Sequence, residues 1–145
     1  MIDRDHLVRI FRRTIISTEF TRPYLDWDEN TRAKFQELIQ LNDLAKSAVI
    51  LYFKKIDQWL LLTTKDLYFK SPDKPIDHVL VDEVVSARID LRINKENGFS
   101  QGKGFSIITL SMIDGHPWNI NIEHGSATEG VLRVLTEMIR NRPVA

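Results

Sequence analysis

The chain has 145 residues, 43% of them apolar, enough for one domain that buries roughly two thirds of its unfolded surface. Twenty basic and twenty acidic side chains cancel to a formal charge of zero, which excludes the global field that draws proteins to nucleic acid or anionic lipid. With no cysteine there is no disulfide framework, no thiolate nucleophile and no Cys-based zinc or iron-sulfur site.

The opening MIDRDHLVRIFRRT carries charges through every turn and lacks the apolar core of a signal peptide, and no run approaches the length of a membrane span. The expected setting is the cytoplasm, without a transmembrane segment. Residues Asp3 to Thr18 place Leu7, Phe11 and Ile15 at four-residue spacing, with Val8 and Ile10 widening the stripe. That pattern predicts an amphipathic helix whose Arg9, Arg12 and Arg13 form a solvated face. From Ser17 to Glu29 the pattern breaks at Pro23, and Phe20, Tyr24 and Trp27 put three large rings into a connecting loop. Such rings dock back on the core or, left exposed, make a partner-binding interface. Asp28 or Asn30 can cap a second helix, whose Phe35, Leu38, Ile39, Leu41, Leu44 and Ala45 make an apolar face out to about Lys46.

The chain then changes character. Ala48 to Phe53 and, after the Lys54-to-Asp57 turn, Trp59 to Leu62 are continuous apolar runs of strand length, which implies burial on both faces. The stretch WLLLTTKDLYF, Trp59 to Phe69, reads as a buried strand, a tight turn at Thr64-Lys65-Asp66 and a second strand from Leu67. By contrast Val85, Ala87, Ile89, Leu91 and Ile93 alternate with polar residues, as do Trp118, Ile120 and Ile122, so those strands have one wet face. The helices of residues 3 to 46 are the only apolar surfaces free to cover the first strands, and both are expected on their outer side.

Ser71 to Pro75 is a loop, Ile76 to Val81 a short strand interrupted by Asp82-Glu83, and Asn97 to Gly104 a hairpin-type connection. In the strand Phe105 to Met112 the apolar phase slips between Ile107 and Ile108, which implies a bulge or burial on both sides. Asp114-Gly115 makes a tight hairpin turn. Ser126 with Glu129 fits a capping box, and Val131, Leu132, Val134, Leu135, Met138 and Ile139 form the buried stripe of a closing helix in which Glu129 and Arg133 sit at favourable spacing.

Seven short strands followed by one amphipathic helix, over about residues 48 to 141, resemble the pleckstrin-homology-like superfamily, in particular its bacterial and GRAM-type members. The likeness rests on WLLLTTKDLYF, on PIDHVLVDEVVSARI and on the closing WNINIEHGSATEGVLRVLTEMIR. It implies an α+β fold: a seven-stranded bent antiparallel sandwich or barrel capped by the C-terminal helix, here preceded by a helical pair packed on the first strands. One domain, 1–145, would then comprise the pair (1–46) and the core (47–145). The likeness also implies a non-catalytic binding scaffold, for peptides or phosphoinositide headgroups. Headgroup-binding members cluster basic residues around the first hairpin, where this chain offers only Lys54 and Lys55, fewer cations than firm capture of a multiply charged group needs.

Catalytic constellations fare worse. Gly98-Phe99-Ser100-Gln101-Gly102 matches the G-x-S-x-G nucleophile string, with Asp114 and His116 or His124 downstream, but Ser100 lies between two strands and not at a strand-to-helix elbow. Gly98, Gly102, Lys103 and Gly104 lack the spacing and the following helix of a phosphate loop. His116 and His124 stand at opposite ends of an extended strand, too far apart for one ion, and His6 and His78 read as ordinary surface histidines. The outward face carrying Arg88, Arg92, Asn119 and Asn121 is the least arbitrary ligand surface if the fifth and seventh strands are close within one sheet. A module that binds a protein partner or its own copy follows, with phospholipid headgroup binding or a small hydrolase or metal enzyme as rivals and no cofactor implied.

Overall fold

The dry runs form the central hairpin of the larger of two antiparallel sheets in the computed structural model, which describes residues 3–14, 18–41, 44–96 and 105–141. Strand Ala48–Lys55 pairs with Gln58–Thr63, which pairs with Asp66–Lys70, which pairs with Asp77–Leu80. On the other side of the hairpin, Thr21–Pro23 pairs with Ala48–Lys55, so the sheet comprises β1 (Thr21–Pro23), β2 (Ala48–Lys55), β3 (Gln58–Thr63), β4 (Asp66–Lys70) and β5 (Asp77–Leu80) in that order. A 3-10 turn at Val81–Glu83 leads into β6 (Val84–Arg88), which with β7 (Ile107–Met112) and β8 (Pro117–Asn121) makes a three-stranded sheet in sequential order. The fold is mixed α+β, as expected. It has one strand more than expected, because β1 adds a short edge ahead of the seven.

Alternation along β2 and β3 sends side chains to two different cores. Ile50, Tyr52, Leu60 and Leu62 face the interior between the sheets, and Leu51, Trp59 and Leu61 face outward. A register shift between Ala48 and Ile50 makes Val49 the extra residue of a bulge, and Val49 and Ile50 consequently both belong to the inner core. The outer core is closed by Tyr24 and Trp27, by Phe35 of α2 (Glu29–Ile39) and by Leu44 of α3 (Leu44–Ser47). Phe35 meets Trp59 edge-on at 4.8 Å between ring centroids and Phe53 at 6.0 Å. Such contacts contribute about 0.5–1.5 kcal/mol each beyond area burial. The Trp27 indole N–H donates to the Leu51 carbonyl at 2.9 Å, and the Arg22 guanidinium lies 4.5 Å over the Trp27 ring.

The first helix, α1 (Arg4–Thr14), departs from the expected roof. Leu7 and Phe11 enter the inner core with Val131, Val134, Leu135 and Met138 of α5 (Ser126–Arg140). The two helices pack together, with His6 near the start of α1 lying 3.8 Å from Glu137 near the end of α5, so they run antiparallel. The reason is width: α1 touches both α5 and β2, closing inner surface of the first sheet that one helix does not span. The helix predicted to Thr18 is described over Arg4–Thr14; Thr18 is not helical, and Ile15 lies outside the described residues. The second helix does not run to Lys46: Asp28 caps its start, accepting from the Thr31 amide at 3.0 Å, and Gln40 ends it with φ of 55°.

Two further expectations are corrected. The alternating run is a strand only to Arg88; Leu91–Glu96 is a helix, α4, started by Asp90, whose carboxylate accepts from the Ile93 amide at 3.1 Å. The capping position of α5 is Gly125 (φ 83°) and not Ser126, and its carbonyl accepts from the Glu129 amide at 3.2 Å. Glu129 and Arg133 form no ion pair; Glu137 and Arg140 do, at 2.9 Å. The phase slip at Ile107–Ile108 reflects burial on both faces of the central strand β7, whose ladder to β8 is unbroken. The hairpin at Asp114-Gly115 forms as expected, with Gly115 at φ 87° and the Asp114 carboxylate accepting from the His116 amide at 2.8 Å. Among the described residues no helix is long and apolar enough to cross a membrane.

Candidate functional site

The loop rings are committed to the fold. Tyr24 and Trp27 are 3% and 8% exposed, so neither offers an interface, and Phe20 is half-buried against the inner core. At the first hairpin the Lys54 ammonium sits 5.9 Å over the Phe20 ring and the Lys55 ammonium 3.9 Å from the Asp57 carboxylate. Both lysines are exposed, and Ile56 at the tip is 71% exposed.

The expected polar face on the second sheet forms in part. β6 and β8 flank β7 in one sheet, so Arg88, Thr109 and Asn119 form one cross-strand row on a single face. Arg88 donates to the Ser111 hydroxyl at 2.6 Å, and Asn119 accepts from the Thr109 hydroxyl at 2.8 Å. Arg92 leaves the sheet altogether: it sits on α4 and pairs with Glu96 at 3.2 Å. Asn121, opposite Ile107, is exposed at the edge.

Gly98, Ser100, Gly102, Lys103 and Gly104 lie outside the described residues. His116 and His124 flank β8 at opposite ends, and His116 packs edge-on against Trp118 at 5.3 Å. Among the described residues no three His, Asp or Glu side chains are placed to share a metal ion.

A polar cluster on β4 and β5 escaped the sequence reading. The Asp66 carboxylate accepts from the Thr63 hydroxyl and from the Tyr68 hydroxyl at 3.3 Å, and lies 2.9 Å from His78 Nε2. The His78 and Tyr68 rings stack at 4.2 Å and 7°. Burial first, and the Asp66 charge second, push the Tyr68 hydroxyl above its ordinary pKa. Asp66 and Tyr68 share a face of β4, and the β4–β5 register sets Tyr68 opposite His78, so the signal was the pairing of an i, i+2 pattern with the hairpin register. The Thr63, Asp66 and Tyr68 side chains also border a shallow 220 Å³ depression with Leu41, Leu44, Ser47 and Lys65.

A larger concavity lies elsewhere, between the antiparallel α1 and α5. It measures 590 Å³ and is bordered by Ile10, Arg13 and Thr14 of α1 and by Glu129, Leu132, Arg133, Thr136 and Glu137 of α5. Ile10 and Leu132 are half-buried and rest on the inner core, forming an apolar strip between charged walls. The Thr14 hydroxyl donates to the Ile10 carbonyl at 3.2 Å and the Thr136 hydroxyl to the Leu132 carbonyl at 2.8 Å. Arg13, Arg133 and Glu129 are exposed and make no ion pair among the described residues.

No protein-family model matches the sequence, and no curated protein matches it significantly.

Proposed function

We propose that the chain is a non-catalytic binding module with a pleckstrin-homology-like core that docks a protein partner between α1 and α5. The element order supports the core reading: four consecutive antiparallel strands, β2 to β5, then three, β6 to β8, then the closing helix. The observation that carries the docking reading is the α1/α5 groove, where half-buried Ile10 and Leu132 lie between guanidiniums that have no ion partner among the described residues. Apolar strips rimmed by charge are the surfaces proteins use for one another. A photo-crosslinking amino acid placed at Thr136 in cells is expected to capture a protein adduct that the same group at His116 does not. Equal capture at both sites, or none at Thr136, counts against the reading.

A second reading, anionic lipid headgroup binding, draws on Ile56, exposed at a hairpin tip beside Lys54 and Lys55. Phosphatidylserine vesicles would then sediment the chain, and Lys54→Glu with Lys55→Glu would abolish it. Sedimentation indifferent to both reversals removes this reading.

A further inference from the structure

We infer that the segment seated between α1 and α5 is an acidic amphipathic helix of a partner protein, its carboxylates meeting Arg13 and Arg133 and its apolar face meeting Ile10 and Leu132. The inference rests on the docking reading above and adds the chemistry of the occupant.

Shape argues for a helix. Glu129 reaches Leu132 and Arg133, and these in turn reach Thr136 and Glu137, by steps of three and four residues, a second stripe on α5 beside its core stripe of Val131, Val134, Leu135 and Met138. At the helical rise that stripe is about 12 Å long. Ile10, Arg13 and Thr14 present the same periodicity from α1. Two antiparallel ridges of this kind leave a trough that a third helix fills, with anchors at helical spacing.

Charge argues for acid. Glu137 already accepts from Arg140 at 2.9 Å and from the Asn141 side-chain amide at 2.8 Å, and His6 Nε2 stands 3.8 Å away. Arg12, next to Arg13, is held by Asp26 at 2.9 Å. Among the described residues, what stays without an ion pair on the walls is Arg13 and Arg133 against Glu129, an excess of cation. The Thr14 and Thr136 hydroxyls donate to their own helices, so the donors facing an occupant are the guanidiniums, which pair bidentately with carboxylates.

The test uses two synthetic helical peptides with one apolar face, flanked by Glu in the first and Lys in the second, titrated into the full chain by NMR. The Glu peptide is expected to shift Ile10, Leu132 and Thr136 resonances and to bind about tenfold or more tighter than the Lys peptide, the size of a desolvated charge-pair preference. The double variant Arg13→Glu, Arg133→Glu should invert the order, and added salt should weaken the Glu peptide on the native chain. Equal binding of both peptides, no binding of either, or a preference that survives the reversal overturns the inference. So does a dimer of the chain alone that Arg133→Glu dissolves, or a shift of the same resonances by phosphatidylserine vesicles. If both peptides fail while Thr136 still captures a protein in cells, docking stands and the acidic helix falls.

Discussion

The Asn94 side chain binds Ile107 as a neighbouring strand would: its Oδ1 accepts from the Ile107 amide at 3.0 Å and its Nδ2 donates to the Ile107 carbonyl at 3.1 Å. Where β6 turns away into α4, one carboxamide continues the ladder on β7, and Oδ1 also accepts from the Ser106 amide at 3.1 Å. Asn94 is 1% exposed, so its removal leaves backbone groups unpaired and dry. Asn94→Ala should cost about 2–4 kcal/mol in urea unfolding, given roughly 1–3 kcal/mol for each orphaned buried group. Asn94→Asp should be as damaging at neutral pH, since a carboxylate oxygen would face the Asp90 and Ile107 carbonyls, and milder in acid. A change within about 0.5 kcal/mol for Asn94→Ala would show that the strand substitute is dispensable.

A second clasp joins distant segments. The Glu123 carboxylate accepts from the Glu19 amide at 2.6 Å, the Phe20 amide at 2.8 Å and the Thr21 hydroxyl at 2.8 Å, holding β1 against the end of β8. Glu123→Gln exchanges one acceptor oxygen for a donor that faces donors. The expected loss is about 1–3 kcal/mol, in the range for charge-assisted bonds, with faster hydrogen exchange at the Glu19 and Phe20 amides. Unchanged exchange at those two amides would contradict the role of the clasp.

Tyr52 makes stability fall in alkali. Burial first, and the nearby Glu123 charge second, raise its pKa to about 12 from the ordinary 10. The unfolded chain therefore ionises this tyrosine about two units earlier, so the stability present below pH 10 is lost as pH climbs through 12. The loss amounts to about 2–3 kcal/mol at most. The difference in unfolding free energy between the native chain and Tyr52→Phe, followed from pH 8 to 12, isolates this group from the other tyrosines and lysines; a flat difference would refute it.

The outer core should be weakened by loss of the Phe35 ring. Phe35 is fully buried between Phe53 and Trp59, and Phe35→Ala is expected to cost about 3–5 kcal/mol and to red-shift Trp59 emission. Leu38, on the same helix but 38% exposed, serves as the comparison, and Leu38→Ala should stay within about 1 kcal/mol. Similar melting temperatures for the two variants would mean that α2 is not the roof of the sheet.

The continuous runs at Ala48–Phe53 and Trp59–Leu62 announced two-sided burial, and two cores do flank those strands. What hydrophobicity could not say was which helix covers which side, because the Leu7–Phe11 stripe suits the closing helix as well as it suits a sheet. The run from Val85 to Ile93 misled for a related reason. Leu91 is 61% exposed, so its apolar character reports no burial, and the Asp90 cap was the stronger local signal. The polar face was legible in part: Arg88, Asn119 and Asn121 share a face of the second sheet, whereas Arg92 is carried off on α4. Arg13 and Arg133 became neighbours of one groove through the pairing of α1 with α5, which no local pattern encodes.

The placement of Leu7 and Phe11 beside Val134, Leu135 and Met138 has a consequence for biosynthesis. On the ribosome α1 emerges ahead of both elements it packs on: β2 comes next, but α5, which takes the rest of its apolar stripe, follows far downstream. The two sheets can zip up as they appear, hairpin by hairpin, whereas sealing of their interior waits for α5. A nascent chain stalled before residue 126 should therefore hold a paired sheet with its first helix still sensitive to protease.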